Sequence, residues 1–141
     1  MTKYTLTPKI RGFVEWQLEH YLEDRRNMEN FRDSLIPSGT AQYGGIGGGH
    51  GSGVSNPTER AGIKLATNPY ILHMERSCKA IENALKHCDS VDMRLIDLIY
   101  WKRSHTVTGA GIEIGLTKTP AYYRVNKILC RIAKEMGFIG L

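Results

Sequence analysis

The stretch "HTVTGAGIEIGLTKTPAYYRVNKILCRIAKEMGFI", residues 105–139, decides the fold, because it places a Gly-Leu-Thr turn between two runs with helical apolar spacing. The first run predicts a short helix over about residues 107–114. Gly115 follows it and can take the left-handed backbone conformation that closes a helix. Leu116 is then expected to point into the core across the turn. This order of elements is typical of a helix-turn-helix.

The second run predicts a longer helix, and the sequence leaves its start open between two caps. Thr117 is one N-cap candidate, and Thr119 followed by Pro120 is the other. At 100° per residue, apolar side chains form one stripe of this helix and a polar, cationic face lies opposite. The stripe holds Ala121, Val125, Ile128 and Ile132, and the opposite face holds Thr119, Tyr123, Asn126, Lys127, Cys130 and Lys134.

The polar face predicts a helix that reads DNA, since the major groove admits an α-helix whose first turns reach base edges. Asn126 can make two hydrogen bonds to adenine, and Thr119 and Tyr123 can each give one or contact a thymine methyl. Either Thr106 or Thr108 is placed for a phosphate at the start of the first helix. An ordinary helical hairpin with a solvated basic face is the alternative. The predicted DNA-contacting residues are Thr108, Lys118, Thr119, Tyr122, Tyr123, Arg124, Asn126, Lys127 and Arg131.

The charge distribution favours the same interpretation. The net charge is +5, and residues 1–100 hold twelve Lys/Arg against twelve Asp/Glu. Residues 101–141 hold seven Lys/Arg against two acidic residues, so the entire positive excess lies in the segment with the helix-turn-helix pattern. Such a cationic segment suits a protein that contacts phosphates, although a basic surface without a partner is also common.

The length allows one domain, or one domain with a helical arm, and helical apolar spacing without an alternating strand predicts an all-α fold. The 141 residues are too few for two full domains, and no run approaches the roughly 18 apolar residues of a membrane helix. The N-terminus lacks the apolar core of a secretory signal, so we expect a protein of the cytoplasm that does not enter the membrane. The three cysteines, without CxxC spacing, are expected to be reduced.

The arm is an amphipathic helix predicted over residues 8–36, capped by Thr7-Pro8 and ended by Pro37. Its length suggests that it packs on the later helices or on a second copy of itself, which would give a homodimer. Its apolar stripe holds Ile10, Val14, Tyr21, Met28, Phe31 and Leu35, interrupted by Gln17 and Asp24 and widened by Phe13, Trp16, Leu18 and Leu22.

Residues 37–57 contain eight glycines and predict a flexible linker rather than a packed element. The segment lacks the Gly-Lys-Ser/Thr ending of a phosphate-binding P-loop. Beyond it, Asn-Pro pairs predict helices over about 57–67 and 69–88, and Asp89-Ser90 caps a third over about 91–102. The predicted inner positions are Ile71, Met74, Cys78, Ile81, Leu85 and Cys88, then Leu95, Ile96, Leu98, Ile99 and Trp101.

Catalytic and metal-binding patterns are not apparent. His73 and Cys78 are five residues apart on one helix, and the adjacent His87 and Cys88 cannot face one metal ion together. No nucleophile and base fall in a recognised motif, so we expect neither an enzyme nor a cofactor. Tyr100 and Trp101 resemble a stacking platform for nucleic acid, but at the end of an apolar helix a place in the core is more common.

Three segments together resemble the RinA/ArpU-type phage transcriptional regulators: "GSGVSNPTERAGIKLATNPYILHMERSCKAIENAL", "LIDLIYW" and "AYYRVNKILCRIAKEMGF". The resemblance implies an N-terminal helical arm over residues 1–36, a Gly-rich linker over 37–57 and a DNA-binding domain over 58–141. That domain would be similar to region 4 of sigma factors. Residues 118–120 depart from the Arg/Ser-rich turn usual in the family.

The resemblance implies an activator of late phage genes, those for packaging, capsid and lysis, that acts with the host RNA polymerase. Residues 118–127 would then read double-stranded DNA at a late promoter. A small terminase subunit is the alternative, although its DNA-binding motif usually precedes its oligomerisation helices. A protein that binds RNA polymerase without specific DNA contact is a third hypothesis.

Overall fold

The computed structural model describes residues 6–35 and 68–139, and within them it is all-helical, with no strand. The predicted all-α class is therefore confirmed. The predicted Gly-rich linker and the predicted helix over about 57–67 lie outside the described residues. The described elements are α1 (Pro8–Leu35), α2 (Pro69–Leu85), α3 (Ser90–Ile96), a π-helical segment (Asp97–Trp101), α4 (Val107–Glu113) and α5 (Lys118–Glu135).

The starts of α2 and α3 are fixed by side-chain caps that the sequence predicts. Asn68 accepts hydrogen bonds from two backbone N–H groups of the first turn of α2, and Pro69 occupies the first helical position. Asp89 and Asp92 form a reciprocal capping box at the start of α3. Each cap satisfies N–H groups that have no partner within the helix.

The prediction of one regular helix over about residues 91–102 is wrong in one respect. The regular α-helix ends at Ile96, and a π-helical segment follows it. The backbone N–H of Lys102 donates to the carbonyl of Asp97, five residues earlier, at 2.7 Å. The wider turn buries Tyr100 and leaves Trp101 half-buried, with its indole N–H donating to the carbonyl of Leu18 at 3.1 Å. Both aromatic side chains pack with the core, which confirms that interpretation over a stacking platform.

Helix α1 packs on the C-terminal helices, and all elements share one core. Val14, Leu18 and Tyr21 are its buried apolar residues, and Gln17 is buried with them, its Nε2 lying 2.9 Å from Nε2 of His73 on α2. The buried stripe of α1 is narrower than the sequence suggested. The prediction that Phe13, Trp16 and Leu22 widen it is wrong, since all three are exposed and Trp16 retains 51% of its accessible surface.

A tight turn joins α4 to α5. Gly115 has a φ of +86°, the left-handed conformation predicted for it, and its N–H donates to the carbonyl of Ile112 at 3.1 Å. The N–H of Leu116 donates to the carbonyl of Gly111 at 2.7 Å, and the Leu116 side chain is half-buried against the core. Four residues, 114–117, therefore join the two helices, and α5 starts immediately after Thr117.

The two helices cross closely at Gly111 and Ala121, which are both buried. A Cβ atom added to Gly111 would lie 2.7 Å from the Cβ of Ala121, well inside van der Waals contact. This crossing needs a residue without a side chain at position 111 and a small one at position 121.

Gly111→Ala is therefore expected to destabilise the protein by about 1–3 kcal/mol, because the added methyl forces α4 and α5 apart. Gly12→Ala is the matched control, since Gly12 is also helical but has no atom within 4 Å of an added Cβ. It should leave stability unchanged or raise it by about 0.5–1 kcal/mol. Urea denaturation of both variants measures the difference, and equal stabilities would show that the crossing tolerates a methyl group.

Candidate nucleic-acid interface

The first turn of α5 projects from the protein. Thr117 occupies the N-cap position, so α5 begins after the first of the two predicted caps and not after Thr119. The Thr117 side chain makes no capping hydrogen bond. The side chains of Lys118, Thr119 and Pro120 are exposed. The N–H groups of this turn carry partial positive charge, to which the Lys118 ammonium adds a full charge. This end of α5 therefore offers donors and positive charge to a ligand.

An exposed stripe continues along α5 from this turn. Tyr123 retains 55% of its accessible surface and Lys134 is also exposed, while Lys127 between them is half-buried. At helical spacing these three residues lie along one side of the helix. We call them, together with Thr119, the open stripe. Tyr122, one residue along from the stripe, is also exposed, with the Lys118 ammonium 6.0 Å from its ring centroid.

Helix α1 borders the open stripe on one side. The sequence prediction that Cys130 faces outward is wrong, because Cys130 is buried. Asn126 is half-buried, and its Oδ1 accepts a hydrogen bond from Nη1 of Arg11 on α1. One of the predicted base-reading residues therefore lies at the α1 border rather than in the middle of the exposed face.

The start of α3 borders the open stripe on the other side. Nη1 of Arg124 donates to Oδ2 of Asp89 at 3.0 Å and to Oδ1 of Asp92 at 2.9 Å. Nη1 of Arg131 donates to the carbonyl of His87 at 3.4 Å. The two carboxylates raise the pKa of Arg124. The hydrogen bond from the Asp92 backbone N–H, followed by the bond from Arg124, lowers the pKa of Asp89.

The basic residues of the C-terminal segment divide into two groups. Lys102 pairs with Asp97 at 3.2 Å, Arg103 with Glu19 at 3.5 Å, and Arg124 with the carboxylates at the start of α3. The second group has no carboxylate partner among residues 6–35 and 68–139. Its members, Lys118, Lys127, Arg131 and Lys134, all lie on α5. The uncompensated positive charge of the segment therefore concentrates on this one helix.

The threonines at the start of α4 have different roles. The Thr106 hydroxyl caps α4 by accepting a hydrogen bond from the Gly109 N–H at 3.1 Å. Thr108, the predicted phosphate contact, is half-buried on α4. Arg11, Asp89 and Asp92 were not recognised from the sequence as neighbours of α5. They are 32 to 115 positions away from their partners, and only the fold brings them together.

The thiols and carboxylates give no sign of a reactive or metal-binding centre. Burial raises the pKa of Cys78 and of Cys88 to about 11, and also raises the pKa of Cys130, so these thiols stay protonated near neutral pH. Across the described ranges, no three His, Cys, Asp or Glu side chains come together in a way that would hold a metal ion. No helix in these ranges is long and apolar enough to span a bilayer.

No known protein family, curated protein or solved structure matches this chain.

The ion pair between Asp89 and Arg124 should make a pH-dependent contribution to the free energy of unfolding. Because folding lowers the pKa of Asp89 below its ordinary 3.8, its contribution is fully present above about pH 3.8 and is lost as the pH falls through the folded-state pKa. Asp89→Asn keeps an N-cap residue but removes the charge that Arg124 contacts. The parent should be more stable than this variant at about pH 6, and the difference should shrink towards zero below about pH 3.8 in urea denaturation. A difference that does not change with pH would show that the ion pair adds nothing.

Proposed function

We propose that this protein binds double-stranded DNA with α5 in the major groove and activates the late genes of a phage together with the host RNA polymerase. The projecting first turn of α5 and the open stripe carry the DNA-binding part of the proposal. They combine exposed hydrogen-bonding side chains with cations that have no carboxylate partner in the described chain. Helix α4 crosses α5 at the close contact of Gly111 and Ala121, as the supporting helix of a helix-turn-helix does.

The residues of α5 divide into two roles in this proposal. Thr119 and Tyr123 reach base edges, because the first turns of a recognition helix enter the groove. Lys118 and Lys127 contact phosphates on either strand, with Tyr122 and Arg131 beside them. Arg124, by contrast, holds α5 against α3, since Asp89 and Asp92 already neutralise its charge. It contributes to the angle at which α5 is presented rather than to affinity for phosphate.

The transcriptional part of the proposal has a separate basis. It follows from the resemblance of residues 51–85, 95–101 and 121–138 to the RinA/ArpU-type regulators. A host cytoplasmic location and a late promoter as the target follow from the same resemblance. The described helices are compatible with such a protein, because its DNA-binding segment is also expected to be helical.

Single substitutions on the open stripe should separate base reading from phosphate contact. Tyr123→Ala should lower the preference for the target sequence over random duplex about tenfold, because a lost base contact is worth about 1–3 kcal/mol. Lys127→Ala should weaken binding to both DNAs and reduce the slope of log K against log salt by about 1. Fluorescence anisotropy on the two duplexes at several salt concentrations measures both effects.

Lys79→Ala is the control for this binding experiment, since Lys79 is an exposed lysine on α2 outside the proposed interface. It should reproduce the parent's affinity and salt slope. If Tyr123→Ala and Lys127→Ala also bind like the parent, the open stripe is not the DNA-binding surface.

Activation requires a second experiment. With host RNA polymerase and a template carrying the phage late promoter, the parent protein should raise run-off transcription, and Lys127→Ala should raise it less at equal concentration because promoter occupancy falls. A template lacking the late promoter is the control. Equal transcription with and without the protein, at concentrations that saturate the promoter, would leave DNA binding intact but refute the activator role.

A further inference from the structure

A series of polar contacts links the core to Asn126 at the border of the open stripe. The Tyr100 hydroxyl donates to Oε2 of Glu15 at 3.0 Å, and Oε1 of Glu15 lies 3.3 Å from Nε of Arg11. Nη1 of Arg11 then donates to Oδ1 of Asn126 on α5. The contacts therefore run from a buried tyrosine of the π-helical segment, through two residues of α1, to a polar residue at the border of the open stripe.

The Arg11 contact determines which way the Asn126 amide faces. A guanidinium has only donors, whereas the Asn side chain has an accepting oxygen and a donating nitrogen on one planar group. Arg11 can therefore bond only to Oδ1, which fixes the rotation of the amide plane that a solvent-exposed Asn would sample freely. The two Nδ2 hydrogens and the second lone pair of Oδ1 are left for a ligand.

Adenine recognition needs that arrangement. The base presents an accepting N7 beside a donating N6 amino group in the major groove, and an Asn reads both with Nδ2 and Oδ1 at once. An amide rotated by 180° would place its donor against the base donor and its acceptor against N7. Holding the amide in one orientation before DNA binds also removes the entropy cost of ordering it at the interface.

We propose that Arg11 is a positioning residue for base recognition: it holds Asn126 in the orientation that reads an adenine, without itself contacting a base. This inference rests on the proposed function. Arg11 suits the role because its own side chain is restrained. Only 31% of its surface is accessible, and its Nε forms an ion pair with Glu15. Glu15 is held in turn by Tyr100, whose hydroxyl is kept protonated because burial and the nearby carboxylate raise its pKa. Sequence preference thus depends on α1 as well as on α5.

Arg11→Met tests this role, because methionine keeps much of the aliphatic stem and removes the donors. The variant and Asn126→Ala should each lower the preference for adenine over other bases at one position of the site about tenfold. The double variant should lose no more than either single variant, since both remove the same contact. Arg11→Lys, which keeps the charge but cannot bond Glu15 and Asn126 in the same geometry, should recover only part of the preference. Selection of full-chain protein on a randomised duplex, followed by sequencing, measures the preferences.

The control is Arg25→Met, because Arg25 is an exposed arginine of α1 that pairs with Glu29 and does not contact α5. It should select the same site as the parent. If Arg11→Met instead weakens all duplexes equally, with a salt slope reduced by about 1 and an unchanged preference, then Arg11 contacts a phosphate and the positioning role is refuted. The same conclusion follows if Arg11→Met selects the parent's site unchanged.

An observation without DNA separates this proposal from the proposed function. In the free protein, the Nδ2 hydrogens of Asn126 should give a distinct pair of NMR signals that moves to ordinary Asn positions in Arg11→Met, while backbone signals of α5 stay in place. Unmoved side-chain signals refute the contact itself. If the signals move but the parent binds no DNA, the contact between Arg11 and Asn126 is real, whereas the proposed function and the role in base recognition are both refuted. If the parent selects a site and Arg11→Met selects it equally, only the reading role falls.

Discussion

The close approach of α4 and α5 at Gly111 and Ala121 is the constraint on which the presented face of α5 depends. At this crossing an added Cβ would lie 2.7 Å from its neighbour, so the two backbones come closer than any larger pair of side chains would permit. The left-handed Gly115 reverses the chain two residues before the N-cap of α5. Together these features direct the first turn of α5 outward while its apolar stripe enters the core.

The borders of α5 determine what the presented face contains. On one side Asp89 and Asp92 neutralise Arg124, and on the other side Arg11 of α1 contacts Asn126. What lies open between these borders is a narrow stripe with tyrosine and lysine side chains. The surrounding helices therefore shape the face as much as the sequence of α5 does.

Local features could be predicted from the sequence, because caps and turns are determined by a few adjacent residues. Asn68, Asp89 and Gly115 were expected to start or end helices, and the structure confirms all three. Features that depend on distant partners could not be predicted. Helical periodicity placed Cys130 on the outside, but the structure buries it. The same periodicity cannot show that Arg124 meets two carboxylates more than 30 positions away, or that a π-helical segment follows Ile96.

The central claim, that the open stripe meets the major groove, is tested most directly by photo-crosslinking. A benzophenone amino acid at position 123 of the full-length protein should crosslink to bases within one preferred site on duplex DNA. The same group at position 16, an exposed aromatic position on α1, should give no DNA crosslink. Crosslinks from position 16 but not from position 123, or none from either while the protein is bound, would contradict the account.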